Sequence, residues 1–140
     1  MGPPRVFRVR MSECCYRFLA DNLIPHAPRK PGVYKILAID EKMGSEVLFV
    51  GWAVPGHGET LYAALAGHLM GRLRPTSQDL AKAAREVYFE YLAAADVETP
   101  EDYKDIAGAL IARFKPRLNP ATPPPSSGKY SSVDIVVEST

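Results

Sequence analysis

The sequence predicts an α+β fold in which helices flank a small central antiparallel β-sheet. Residues 32–39 and 46–51 are apolar, β-prone runs joined by a polar, glycine-containing turn, so they predict a β-hairpin. Residues 86–92 are aromatic and β-branched and predict a third strand. The apolar period changes from two to 3.6 between and after these runs, which indicates helices. The 140 residues suit one domain with a substantial core.

Two main helices are predicted to pack on this sheet. Thr60 is a good N-cap for a helix over residues 61–73. Thr99 is the expected N-cap of the second, over residues 100–115, and Pro100 suits its first position. Its apolar residues recur at helical spacing and form one continuous face: Tyr103, Ile106, Ala107, Leu110, Ile111 and Phe114. A shorter helix is expected from Thr76 or Ser77 to about residue 85.

The chain divides into a central domain and two flanking segments. Residues 1–30 form an N-terminal extension, with a strand at residues 6–10 and a helix over about 13–22 that Ser12 caps. Pro25 is expected to end any helix there. Residues 31–119 are the domain itself, and residues 120–140 are a Pro- and Ser-rich C-terminal tail with a candidate edge strand at residues 133–138.

Composition narrows the functional classes. The net charge is +1, so a basic face can come only from local clustering. No apolar run reaches the ~20 residues of a membrane span, and no secretory signal is evident, so we expect a cytoplasmic protein without a membrane partner. Cys14 and Cys15 are adjacent, which disfavours a disulfide and indicates reduced thiols. His26, His57 and His68 show no metal-ligand spacing, so no metal site is expected.

Two segments resemble the GIY-YIG nuclease superfamily. Gly32-Val33-Tyr34 is similar to the first family motif, and Phe49-Val50-Gly51 is similar to the second, with Phe49 where the family usually has Tyr. The end of the second helix resembles the family's C-terminal signature through Leu110-Ile111, Phe114-Lys115-Pro116 and Leu118-Asn119. The resemblance covers residues 31–119 and implies a β-β-α-β-α core.

The resemblance implies metal-dependent phosphodiester hydrolysis, but two of the key residues are replaced. The family places an Arg on the first helix to steady the phosphate and a Glu on the last helix to hold a divalent cation. Ala64 and Ala107 occupy these positions, and alanine can do neither. Of the family's catalytic set, Tyr34 remains. No cofactor is therefore expected; Mg²⁺ or Mn²⁺ would be needed only by an active nuclease.

Three functions remain open from the sequence. The first is a catalytically degenerate GIY-YIG-like domain that binds DNA, RNA or a protein partner, without appreciable metal-dependent cleavage. The second is an active divalent-metal-dependent endonuclease that uses displaced residues. The third is a protein-interaction domain without nucleic-acid contact, for which the surface around Trp52 is the candidate. The candidate nucleic-acid-binding residues form two basic groups, Arg72 and Arg74, and Arg113, Lys115 and Arg117.

Overall fold

The structure is a computed structural model that describes residues 2–40, 42, 44–121 and 124–138. These residues form six strands and four helices, which confirms the α+β class. In chain order they are β1 (Arg5–Met11), β2 (Tyr16–Arg17), α1 (Ala20–His26), β3 (Gly32–Ile39), β4 (Ser45–Ala53), α2 (Leu61–Leu69), α3 (Ser77–Ala83), β5 (Val87–Ala95), α4 (Asp102–Phe114) and β6 (Val133–Val137).

The sheet has the strand order β4-β3-β5-β1-β6, with β2 paired to β5. The predicted hairpin is confirmed, because β3 pairs antiparallel with β4 along its whole length. The predicted third strand, β5, pairs antiparallel with the other side of β3. The predicted edge strand is β6, which runs parallel to β1 and makes the complete sheet mixed.

Helices cover both faces of the sheet. Val33 and Tyr34 are neighbours in β3 and therefore point to opposite faces. Tyr34 lies in a core cluster with Leu65 of α2, whereas Val33 lies in a second cluster with Leu110 of α4. The helices α2 and α4 are consequently separated by the sheet.

The helix predicted over residues 13–22 is wrong. Tyr16 and Arg17 instead form β2, opposite Phe89 and Tyr88 of β5. This tertiary pairing overrides the local helical pattern and delays α1 until residue 20. Pro25 lies inside α1, which continues for one residue beyond it, so the prediction that Pro25 ends the helix is also wrong.

The helix α2 ends four residues earlier than predicted. It stops at Leu69, and Gly71 then adopts a positive φ of 79°, a conformation that glycine tolerates and that ends helices. The N-terminal prediction is confirmed, because the Thr60 side chain accepts a hydrogen bond from Ala63 N. Thr76 likewise caps α3, through a capping box with Asp79.

The predicted Thr99 cap of α4 is wrong, because no side chain among the described residues caps this helix, which begins after Glu101. The Asp102 carboxylate accepts hydrogen bonds from the backbone N–H groups of Glu98 at 2.8 Å and Thr99 at 3.3 Å. The Thr99 hydroxyl accepts instead from Lys129 Nζ. The helix ends where Lys115 adopts a positive φ of 47°, directly before Pro116.

The C-terminal tail packs along α4 as an arm held by two buried carboxylates. Asp105 is 3% exposed and accepts hydrogen bonds from Ser127 N at 3.0 Å and Ser127 Oγ at 2.6 Å. Asp102 is fully buried and accepts from Tyr130 Oη at 2.9 Å and from Lys129 Nζ at 2.6 Å. Among the described residues, no helix is long and apolar enough to cross a membrane.

Candidate functional site

Tyr34 forms a buried hydrogen-bonded chain with His68. Tyr34 is 2% exposed and His68 is 1% exposed, and their Oη and Nε2 atoms lie 2.7 Å apart. The Nδ1 of His68 lies 2.9 Å from the Pro75 carbonyl oxygen, which can only accept, so Nδ1 carries the proton. Nε2 therefore accepts from the Tyr34 hydroxyl, and all polar atoms of the pair are satisfied.

Both groups of this chain are held in their neutral forms. Burial raises the pKa of Tyr34 and lowers the pKa of His68 below 6.5, although the hydrogen bonds to the Pro75 and Leu73 backbone oppose the second shift. A neutral, fully hydrogen-bonded tyrosine that solvent does not reach is a stabilising link between β3, α2 and the segment before α3. The arrangement joins the elements and presents no hydroxyl to a substrate.

The two alanines at the family's charged positions do not share a site. Ala64 is 1% exposed and lies in the core cluster of α2, while Ala107 is fully buried in the cluster of α4. The sheet therefore separates them. Asp105, the nearby acid, is occupied by Ser126 and Ser127. Within the part of the chain that the structure describes, no group of three or more His, Cys, Asp or Glu side chains could hold a metal ion.

Two residues of the second basic group, Arg113 and Arg117, bind groups at the two edge strands of the sheet. Arg113 donates to the Ile135 carbonyl oxygen of the edge strand β6 at 3.1 Å and pairs with Asp134 at 3.5 Å. Arg117 pairs with Glu46 at 2.8 Å and donates to the Ala83 carbonyl oxygen. These interactions cover unpaired backbone groups and neutralise both cations.

Two more residues of the segment that resembles the family's C-terminal signature are Asn119, which binds the sheet, and Lys115, which is exposed. Asn119 accepts from Val50 N and donates to Val50 O, each at 2.9 Å, so its amide completes the outer edge of β4. Lys115 is exposed and makes no ion pair with any other described residue. Of the second group, only Lys115 keeps an uncompensated charge.

The first basic group lies at the C-terminal end of α2 and is free to meet a ligand. Arg72 and Arg74 are both exposed, and no carboxylate of the described residues lies within ion-pair distance of either. The only side-chain hydrogen bond of Arg72 among the described residues is to the Met70 sulfur, at 3.1 Å. These guanidinium groups keep their capacity to bind an anion.

A third cation, which sequence reasoning did not find, lies at the opposite, N-terminal end of α2. The backbone N–H groups of Leu61 and Tyr62 donate to the carbonyl oxygens of Lys30 and Pro28, which docks residues 28–30 at the start of α2. The Arg29 guanidinium then lies over the Tyr62 ring, 4.4 Å from its centroid. Only the tertiary fold brings these residues together; the adjacent Arg29 and Lys30 were the available sequence signal.

A shallow groove of about 470 Å³ runs along the outer side of α2 between these cations. We call it the α2 groove; its lining residues are Tyr62, Ala63, Ala66, Gly67, Met70, Arg72 and Leu73. No Asp, Glu, Lys or Arg occurs from residue 61 to residue 71. Met70 is 67% exposed, so the groove presents uncharged apolar surface to solvent. Surface helices normally place charged residues there, and their absence marks a contact surface.

A larger cavity of about 710 Å³ lies at the turn end of the β3–β4 hairpin. It is lined by three carboxylates and by Arg85, which is exposed and makes no ion pair with any described residue. Its carboxylates are Asp40, Glu46 and Glu86. Asp40 accepts from the turn backbone at Lys42 and Gly44, and Glu46 pairs with Arg117. Glu86 pairs with Arg17 and accepts from Tyr88. Three carboxylates disfavour a phosphate there.

Trp52 and the two cysteines do not form a further binding or catalytic site. Trp52 is half-buried and stacked under His57, with 4.9 Å between ring centroids, so it does not form an open apolar platform. Cys14 and Cys15 are free thiols, as the sequence predicts. Burial, together with Glu90, which accepts a hydrogen bond from its thiol, raises the pKa of Cys15 to about 11, so its nucleophilic thiolate is rare near neutral pH.

No protein-family model, curated protein or solved structure matches the chain significantly. The likeness to the GIY-YIG superfamily therefore stays a prediction that rests on the motif residues themselves.

Proposed function

We propose that the chain is a non-catalytic nucleic-acid-binding module whose phosphate contacts are made by Arg29, Arg72 and Arg74 beside the α2 groove. One observation carries the proposal. Arg72 lines the α2 groove and Arg29 lies over Tyr62 of the same lining, and neither forms an ion pair with a carboxylate of the described residues, whereas Arg113 and Arg117 are neutralised within the fold. Arg74 is exposed and lies two residues beyond Arg72. The net charge of +1 means that binding depends on this local cluster.

The proposal predicts weak, salt-sensitive binding. Each neutralised phosphate releases counterions and contributes about −0.9 to the slope of log K against log salt for duplex DNA, or about −0.7 for a single strand. Three contacts therefore give a slope of about −2.1 to −2.7. Affinity should fall by roughly 20- to 40-fold between 50 and 200 mM salt.

Charge reversal at Arg72 tests the location of the site. Arg72→Glu places a carboxylate beside the bound phosphate, so we expect at least about a tenfold loss of affinity and a slope shallower by about one phosphate contact. Lys115→Glu is the matched control, because it makes the same charge change at another exposed cation without an ion pair. Fluorescence anisotropy with labelled DNA and RNA at several salt concentrations measures both. Equal losses in the two variants would contradict a site at α2.

The proposal also predicts no appreciable Mg²⁺- or Mn²⁺-dependent cleavage of DNA. Loss of a single transition-state donor typically lowers a rate by ~10²–10³, and Ala64 and Ala107 replace both the phosphate-steadying cation and the metal ligand of the resembled family. Plasmid nicking by purified protein with each metal is the measurement. Metal-dependent nicking that Tyr34→Phe abolishes would establish the chain's own activity and refute this prediction.

A further inference from the structure

We infer that the α2 groove binds a single nucleic-acid strand through its bases, with an unstacked base lying against Tyr62 and Met70. This inference rests on the proposed function and specifies its ligand. The cations attract the phosphates of any nucleic acid. The surface between them determines whether a single strand or a duplex binds.

The surface between the cations is apolar and is formed largely by small residues. Arg72 lies at one end of the α2 groove and Arg29 lies at the other, over Tyr62. Ala63 and Ala66 form the open floor, and the Leu73 side chain packs over Gly67 as an apolar wall. Such a floor can bury a base face, which is apolar, while the strand's phosphates reach the guanidinium groups on either side.

The side chains at the two ends suit stacking. The Tyr62 ring and the Arg29 guanidinium are planar groups that stack on bases, and Met70 is a flexible, polarisable side chain that adapts to an aromatic surface. Because Met70 is 67% exposed, it can move to contact a base without disturbing the core. Single-strand-binding proteins combine aromatic stacking and cationic tracking in the same way.

Two other occupants fit less well. A duplex keeps its base faces inside the stack, so it would leave the apolar floor unused and contact only the cations. A second copy of this chain would bring its own Arg29, Arg72 and Arg74 against the same cations. Like charges disfavour that pairing, whereas an anionic strand complements them. An acidic protein segment is the remaining anionic class, and the experiment includes it.

Three matched probes test the inference by anisotropy: a labelled oligothymidylate of about 12 nucleotides, an abasic strand of the same length, and the corresponding duplex. We expect the single strand to bind at least about fivefold tighter than the abasic strand, because each stacked base contributes that much or more. It should also bind tighter than the duplex, although the duplex carries more phosphates.

Substitutions then locate the base. Met70→Ala removes the apolar side chain without adding a charge beside Arg72, so it should weaken binding of the single strand at least about fivefold and leave abasic binding much less changed. Val136→Ala is the matched control, since Val136 is 50% exposed on β6, away from α2. Tyr62→Phe keeps the ring and should retain binding, while Tyr62→Leu should lose it. Circular dichroism of each variant verifies that it is folded.

The outcomes separate the inference from the proposed function. Equal affinity for the three probes, with the Arg72→Glu loss intact, overturns the single-strand inference and leaves the nucleic-acid module. No binding of any probe at low salt overturns both. Binding of an acidic helical peptide that Met70→Ala abolishes, without nucleic-acid binding, also overturns both and assigns the α2 groove to a protein partner.

Discussion

The Asp102→Ala variant is expected to lose about 3 kcal/mol of unfolding free energy, a large part of the 5–15 kcal/mol typical of a domain. Asp102 is fully buried and accepts hydrogen bonds from two backbone N–H groups in the turn before α4 and from Lys129 and Tyr130 of the C-terminal arm. Alanine would leave these donors without their charged acceptor. Urea unfolding followed by circular dichroism measures the loss.

Two variants separate the contributions at this carboxylate. Glu101→Ala removes the neighbouring acid, which is half exposed and pairs only with Lys104, so it should cost less than about 0.5 kcal/mol. Lys129→Ala should cost far less than Asp102→Ala, because the Lys129 side chain is 38% exposed and the other three donors to Asp102 remain. A loss for Asp102→Ala as small as that for Glu101→Ala would contradict the role assigned to the carboxylate.

The contribution of Asp102 should depend on pH in a defined window. Burial alone would raise its pKa, but hydrogen bonds from Lys129, Glu98, Tyr130 and Thr99 lower the pKa below its ordinary value of 3.8. A carboxyl group with a lowered folded pKa stabilises fully above its unfolded pKa and loses that effect as pH falls through the folded pKa. The stability gap between the native chain and Asp102→Ala should be constant from about pH 7 to 5 and close below about pH 4.

Comparison with the variant removes a second titration from this measurement. The lowered pKa of buried His68 means that the unfolded chain takes up protons first as pH falls below about 6.5, which destabilises the native chain and the variant alike. The difference between their profiles therefore isolates the carboxylate.

The spacing of apolar residues was sufficient to predict those strands and helices that do not depend on contacts distant in sequence. The hairpin, β5 and α4 follow from periodicity, and Thr60 caps α2 as expected. The helix predicted over residues 13–22 failed because Tyr16 and Arg17 gain a strand partner more than 70 residues away in sequence. The role of Asp102 could not be predicted from local pattern either, since its carboxylate binds Tyr130 and Lys129 of the C-terminal arm.

Some residues of the candidate site could likewise be proposed from the sequence, whereas others are brought together only by the fold. Arg72 and Arg74 could be proposed from the sequence, because they cluster at the end of the first predicted helix of the domain. Arg117 looked similar, yet its partner Glu46 is 71 residues away in sequence. Arg29 and Tyr62 meet only when residues 28–30 dock on α2. A count of clustered Lys and Arg residues in the sequence therefore overestimates the number of unpaired cations, because the fold can bring in carboxylates that are distant in sequence.

Replacement of Gly51 by alanine should be the other severe change, with an expected loss of about 3–5 kcal/mol. Gly51 lies directly opposite Tyr34 in the β3–β4 pair, and a Cβ at Gly51 would overlap the Cζ and Oη atoms of the Tyr34 ring. The ring cannot move aside without breaking its 2.7 Å hydrogen bond to buried His68. The variant therefore combines overpacking with an unsatisfied buried polar group, and urea unfolding should register both.

A double-mutant cycle distinguishes this clash from a general effect of alanine. Tyr34→Leu removes the overlapping atoms, so adding Gly51→Ala to it should cost much less than Gly51→Ala alone, with a coupling energy of about 2 kcal/mol. Gly56→Ala is the control, because a Cβ there meets nothing within 4 Å and its cost comes only from a positive φ of 88°. Additive losses at Gly51 and Tyr34 would contradict the packing role. Strong coupling would instead explain why glycine faces tyrosine in these two motifs on grounds of packing alone, without any requirement for catalysis.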